Sequence, residues 1–82
     1  MPTVLRFQGL RVVIYLNDHW PPHVHVLGAA REAKIALGLS GRRPTVVSNE
    51  GLTRRELVLA LTEVERHREM LMERWREIHG DA

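Results

Sequence analysis

Apolar and polar residues alternate along the first half of the chain, and they recur every three or four positions along its last third. The runs TVLRF (3–7) and LRVVIYL (10–16) are rich in β-branched residues and flank Gln8-Gly9. That pattern predicts a hairpin closed by a tight two-residue turn. With that turn, Phe7 pairs with Leu10 and Leu5 with Val12. One face then carries Leu5, Phe7, Leu10, Val12, Ile14 and Leu16, and the other carries Val4, Arg6, Arg11, Val13 and Tyr15. HVHVL (23–27) and EAKIAL (32–37) around Gly28–Arg31 predict a second hairpin. Val24, Val26, Ala33 and Ile35 share its apolar face. His23, His25, Glu32 and Lys34 share the opposite one, with His25 across from Lys34. GLSGRRP (38–44) reads as a loop and TVVS (45–48) as a short edge strand.

From Thr53 onward the period changes. Thr53 and Glu56 have capping-box spacing, and Leu52 and Leu57 are placed as a hydrophobic staple. Leu57, Leu61, Val64, Leu71, Trp75 and Ile78 follow a 4–3 spacing, with Ala60 and His67 on the same side. Neither Gly nor Pro interrupts this stretch before Gly80. One uninterrupted helix here would be roughly 40 Å long at 1.5 Å per residue, against about 17–20 Å for strands of five or six residues. Either the helix bends or its end overhangs the sheet. An overhanging Leu71, Met72, Trp75 and Ile78 would want a partner, so a homo-oligomer formed through the C-terminal helix is expected. The fold expected is α+β. Two hairpins give an antiparallel sheet of four to five strands, one long C-terminal helix packs on one face, and residues 1–82 form a single domain.

Composition narrows the chemistry. The 82 residues include no Cys, which excludes a disulfide framework, a thiolate metal site and a Cys nucleophile. With no leader-like N-terminus and no long apolar run, a cytoplasmic protein without membrane contact is expected. Net charge is only +2, but eleven of the twelve cationic side chains are Arg, whose planar fork suits phosphates and carboxylates. A nucleic-acid surface requires those charges to be clustered. The face opposite the apolar one supplies a candidate cluster in Arg6, Arg11, Tyr15, His23, His25 and Lys34.

The segment NDHWPPHVHV (17–26) concentrates three of the five histidines. Pro21-Pro22 restricts the backbone just before the strand, and alternation then turns both His23 and His25 to one side. Three readings follow. The pair can share a metal ion, with His19, Asp18 or Glu32 as third ligand. Against this stand the neighbouring Lys34, the absence of Cys and a Glu spacing unlike that of cupins. The pair can serve as general base and acid, with Arg or Lys stabilising a developing phosphorane, which suits RNA cleavage by 2′-hydroxyl attack. Or the histidines can bond the Asn17–His19 loop and hold the sheet edge. His67 reads as an interior or boundary histidine and His79 as an uninformative terminal one. Glu63 with Arg66 and Glu65 with Arg68 read as i, i+3 pairs on a solvated face.

MPTVLRFQGLRVVIYLNDHWPPHVHV, EAKIAL and GLTRRELVLALTEVERHREMLMERW together resemble the family called domain of unknown function 4160. The most specific part is Asp18-His19-x-Pro21-Pro22-His23-Val24-His25-Val26. Glu32-Ala33-Lys34 and Trp75 also fit, and the loop Leu39–Ser48 departs from the pattern. The resemblance implies a small prokaryotic protein encoded beside a member of domain of unknown function 2442, in an arrangement like a toxin–antitoxin pair with this chain as the toxin. It makes His19, His23 and His25 the positions of interest, with Lys34 as neighbour. A small sheet with one packed helix is also similar in outline to bacterial messenger-RNA interferases, an analogy of fold alone.

The expected function is a toxin-like component acting on or binding RNA through the basic His/Arg face, with metal-independent RNA cleavage as the candidate activity and whether it is an enzyme left open, and with no cofactor. His23, His25 and Lys34 are its catalytic candidates, and Arg6, Arg11, Tyr15 and His19 its nucleic-acid contacts. Its expected partners are an antitoxin protein and RNA. The alternative is a non-enzymatic protein- or DNA-binding module whose histidine cluster is structural.

Overall fold

The computed structural model describes residues 3–39 and 41–80; Ser40, inside the predicted loop, lies outside them. Five strands, β1 (Thr3–Phe7), β2 (Leu10–Val13), β3 (His23–Gly28), β4 (Arg31–Ala36) and β5 (Thr45–Glu50), form one antiparallel sheet in the order β1-β2-β3-β4-β5. Two helices follow, α1 (Arg54–Arg66) and α2 (Arg68–His79). The α+β architecture is as the alternation predicts.

Both hairpin registers match the sequence pattern. Phe7 faces Leu10, Leu5 faces Val12, and Arg6 faces Arg11. Gln8 and Gly9 take left-handed φ values of 48° and 77°, the conformation that a two-residue turn between right-twisted strands requires. Val24 faces Ile35, Val26 faces Ala33, and His25 faces Lys34. β5 is longer than TVVS, and all six of its residues are exposed at the sheet edge.

The core contains Leu10, Val12, Ile14, Val24, Val26, Ala33, Ile35 and Leu37 from the sheet side, closed by Ala60, Val64, Leu71, Met72 and Trp75 from the helices. Leu5, Phe7, Leu57, Leu61 and Ile78 pack around it. Leu16 departs from the expectation, being 77% exposed. β2 ends at Val13, so strand alternation no longer governs position 16. Val4 joins the core margin although simple alternation puts it on the other face; the register shifts between Thr3 and Leu5.

The single long helix is corrected to two. At His67 the backbone leaves helical values, with φ −108° and ψ 20°. A straight helix of about 40 Å would exceed the longest dimension of the molecule, 32 Å. The break instead turns α2 back onto the sheet, where Leu71, Met72 and Trp75 are buried. The first residue after the break anchors it. Arg68 Nε donates to Leu37 O at 2.8 Å, and its Nη2 donates to Gly38 O. Arg68 is therefore a clamp between α2 and the end of β4, where the sequence pattern offered a surface ion pair. With its apolar stripe folded inward, α2 no longer supplies the argument for self-association.

The capping box forms as spaced. Thr53 Oγ1 accepts from Glu56 N–H at 3.1 Å, and Glu56 accepts from Thr53 N–H at 3.0 Å. Arg31, at the start of β4, also pairs with Glu56 and ties the sheet to the first turn of α1. The hydrogen bond from Thr53 N–H holds the Glu56 carboxyl below its ordinary range, with Arg31 adding to the effect against some desolvation. Thr53→Ala should cost about 1 kcal/mol of stability. A carboxyl depressed on folding contributes stability above its unfolded pKa and loses it as pH falls through the folded value. Stability of the Glu56→Gln variant should accordingly fall less steeply than that of the wild type between about pH 6 and about pH 3, the range in which carboxylates titrate. Urea melts across that range check both expectations.

Candidate functional site

Between β2 and β3 the chain runs from Ile14 to Pro22, and this segment builds the site. Asp18 and Tyr15 close a local turn through two reciprocal bonds. Tyr15 N–H donates to Asp18 Oδ2 at 3.0 Å, and Asp18 N–H donates to Tyr15 O at 3.2 Å. The turn aims the other carboxylate oxygen at the start of β3. Leu37 N–H donates to Pro22 O at 3.0 Å, so pairing with the β4 side begins just before His23. The Trp20–Pro21 peptide bond is cis.

Two imidazoles converge on Asp18. His23 is 5% exposed. Its Nδ1 donates to Pro21 O at 2.9 Å, and its Nε2 stands 3.4 Å from Asp18 Oδ1. A carbonyl only accepts, so Nδ1 carries the hydrogen. His25 Nε2 stands 3.0 Å from the same Asp18 oxygen, and its Nδ1 stands 2.9 Å from Glu32 Oε2. Glu32 reaches His25 diagonally, from the position next to Lys34 on that face of β4. Asp18 Oδ1, His23 Nε2 and His25 Nε2 thus form a cluster whose donor atoms all lie within 4.8 Å of one another.

A row of rings extends from this cluster. Tyr15 lies 4.7 Å from His25, His25 5.2 Å from His23, His23 5.2 Å from Trp75, and Trp75 4.1 Å from His79, centroid to centroid. His79 Nε2 donates to Tyr15 O at 3.0 Å. The bend at His67 therefore has a consequence for the site, since it brings the end of α2 beneath His23 and against the Tyr15 turn. His79 is a working contact and not an uninformative terminus.

The electrostatics follow from these contacts. Burial alone would raise the Asp18 carboxyl, but hydrogen bonds from His25 and from Tyr15 N–H, with the nearby imidazoles, hold it below its ordinary range. The Tyr15 phenol is pushed up, first by burial and then by Glu32 and Asp18, with Arg11 opposing. Asp18 therefore stays a carboxylate and Tyr15 stays a phenol at neutral pH.

The predicted site residues are brought together unevenly. His23, His25 and Tyr15 touch, and Lys34 lies beside His25 across the β3–β4 pair. His19 is exposed and lines a cleft of about 300 Å³ with Trp20, His23, Asp18 and Lys34. Arg11 faces Leu27, two strand positions along from the Val13–His25 pair. Arg6 lies a further strand away on β1, opposite Arg11. The face is not uniformly basic. Asp18 and Glu32 press on His25, and Glu50 faces Glu32 across the β4–β5 pair.

Asp18 and Glu32 matter more to the site than their sequence positions suggested. In the sequence they appear only as alternative third metal ligands and as members of the family motif, with Glu32 also on the histidine face. Trp75 and His79 join through tertiary folding, which strand alternation cannot foresee.

Fold and niche together define a small α+β protein whose sheet carries a His–Asp–His cluster at one end, closed from below by its last helix. The chain belongs to the family described as Domain of unknown function (DUF4160), whose match runs over residues 9–76. That span contains the whole cluster with Glu32, Lys34 and Trp75, and leaves out Arg6 and His79. No curated protein and no solved structure matches the chain. Among the described residues no helix is long and apolar enough to cross a membrane.

Proposed function

We propose that this chain is a toxin-like component of a prokaryotic toxin–antitoxin module, acting on RNA in the cytoplasm, with an antitoxin of the domain of unknown function 2442 type as its protein partner. The observation that carries the reading is the cleft beside the His–Asp–His cluster. It sets Lys34, His19 and a Trp20 that is 47% exposed around one opening. A cation beside an accessible aromatic ring is what a single-stranded nucleic acid uses, through its phosphate and its base. In this reading the parts are distributed differently from strand alternation alone. The ring nitrogens of His23 and His25 turn inward onto Pro21, Asp18 and Glu32, which does not favour a metal-independent acid–base pair. Phosphate contact in this reading falls to Lys34, Arg11 and His19, and base stacking falls to Trp20.

The test is fluorescence anisotropy with a labelled single-stranded RNA, run at several salt concentrations. Binding should weaken with salt as counterions are released. Trp20→Ala should weaken it roughly tenfold, within the 1–3 kcal/mol scale of a lost base stack, and Lys34→Ala should reduce the salt slope. Expression without the antitoxin should slow growth, and co-expression should restore it. Absence of both RNA binding and growth inhibition would overturn the reading. Growth inhibition without RNA binding would favour the non-enzymatic protein-binding module, which the internal bonding of both histidines also supports.

A further inference from the structure

We propose that Asp18, His23 and His25 hold a divalent transition-metal ion, zinc by the character of the donors, through Asp18 Oδ1, His23 Nε2 and His25 Nε2. This goes beyond the RNA reading and does not rest on it.

Geometry is the first argument. Ligands at about 2.0–2.1 Å from a tetrahedral zinc sit roughly 3.4 Å from one another. His23 Nε2 and His25 Nε2 stand 3.4 and 3.0 Å from Asp18 Oδ1, so those two edges need adjustments of only a few tenths of an ångström; the two Nε2 atoms, within 4.8 Å of each other, would draw together on binding.

The second argument is the set of bonds on the far side of each ligand. A metal-binding histidine characteristically gives its other N–H to a carbonyl or a carboxylate, which fixes tautomer and ring orientation. His23 gives Nδ1–H to Pro21 O at 2.9 Å, and His25 directs Nδ1 to Glu32 Oε2 at 2.9 Å. The carboxylate is oriented in the same manner, because Asp18 Oδ2 accepts from Tyr15 N–H. All three candidate ligands thus carry a supporting partner, and each partner leaves the ligating atom pointing inward.

Charge is the third. With an ion bound, the hydrogens stay on both Nδ1 atoms and the Nε2 proton that His25 otherwise gives to Asp18 is released, so two lone pairs and a carboxylate oxygen converge on one point. Those like-signed ends repel unless a positive centre lies between them. A proton can satisfy one such contact, whereas a divalent ion satisfies all three. Lys34 beside His25 argued against a cation in the sequence, but the carboxylates of Asp18 and Glu32 outweigh one ammonium. The side chains of Asp18, His23 and His25 are only 10%, 7% and 13% exposed. Asp18 and His23 also line the cleft, so a fourth position would open toward it for water or a bound phosphate.

The experiment is titration of the full chain with Zn²⁺ by calorimetry, and with Co²⁺ by visible absorption, on wild type, Asp18→Asn and Glu32→Gln. Wild type should take up one ion per chain, and the Co²⁺ form should show the intense bands of a four-coordinate site. Asp18→Asn should lose saturable binding. Glu32→Gln changes a side chain that is 48% exposed, so its fold is safe; its affinity should drop about 10–100-fold, the usual cost of losing a ligand's supporting partner. Absence of saturable uptake by wild type, or equal affinity in wild type and both variants, overturns the proposal. Running the RNA titration on the same samples separates the two readings. Zinc uptake without RNA affinity removes only the RNA reading. RNA affinity without zinc uptake removes only the metal site.

Discussion

Trp75→Ala should cost about 3–5 kcal/mol of folding stability, the range for deleting a large buried aromatic. Trp75 is the largest fully buried side chain and is 1% exposed. It packs against the His23 ring on one side and the His79 ring on the other. Its removal would open a void between α2 and the start of β3, which this small domain cannot readily close. Since domains carry only about 5–15 kcal/mol in total, the loss should be visible as a large shift of the urea midpoint. Trp75→Phe supplies the control. The indole Nε1 is buried with no hydrogen-bond partner among the described residues, so the smaller ring sacrifices volume and no hydrogen bond. That variant should lose roughly 1–2 kcal/mol, on the scale of a near-conservative core swap. If Trp75→Ala instead melts like the wild type, α2 does not dock on the sheet in solution, and the row of rings beneath His23 goes with it.

Much of this architecture was readable because strands and caps follow local rules. The Gln8-Gly9 turn fixes the first register, and the turn between Gly28 and Arg31 fixes the second, so Leu5, Val12, Val24 and Ile35 fall on the core side with no tertiary information. The Thr53–Glu56 box likewise marks the start of α1. The break at His67 was not readable. Neither Gly nor Pro marks it, and what holds it is remote in sequence: the grip of Arg68 on Leu37 and Gly38, and the burial of Leu71 and Trp75. Only the mismatch between helix length and strand length hinted at it.

The site divides along the same line. Alternation put His23 and His25 on one face beside Lys34, and it did so correctly. It could not show that their nitrogens turn toward Asp18, since Asp18 sits in a loop whose direction depends on its own bond to Tyr15. The supposedly basic face is mixed as well. Asp18 enters it from the loop, and Glu32 and Glu50 bring further negative charge from β4 and β5.

The second large effect is expected at Asp18. Asp18→Ala removes the acceptor used by His25 Nε2 and by Tyr15 N–H, together with the carboxylate 3.4 Å from His23 Nε2, leaving three polar groups without that neighbour. Breaking a buried charged contact by removing one side typically costs 3–5 kcal/mol. The cluster retains about a tenth of its exposure, so water softens that value, and about 2–4 kcal/mol is the expectation here. Glu32→Ala is the comparison, because Glu32 is half-exposed and bonds His25 alone; it should cost less than about 1 kcal/mol. Groups that act as one network are not additive. Asp18→Ala combined with His25→Ala should therefore cost less than the sum of the two single changes, by about 0.5–3 kcal/mol. Urea melts of the wild type, Asp18→Ala, His25→Ala and the double variant, all measured in a chelator, give that coupling without any metal contribution. Repeating them with added Zn²⁺ should raise the wild-type midpoint by linkage, because a ligand bound only to the folded chain stabilises it, and should leave Asp18→Ala where it was. Additive losses in chelator would show that Asp18 and the histidines do not act together, and an equal zinc response in all four proteins would place the ion elsewhere.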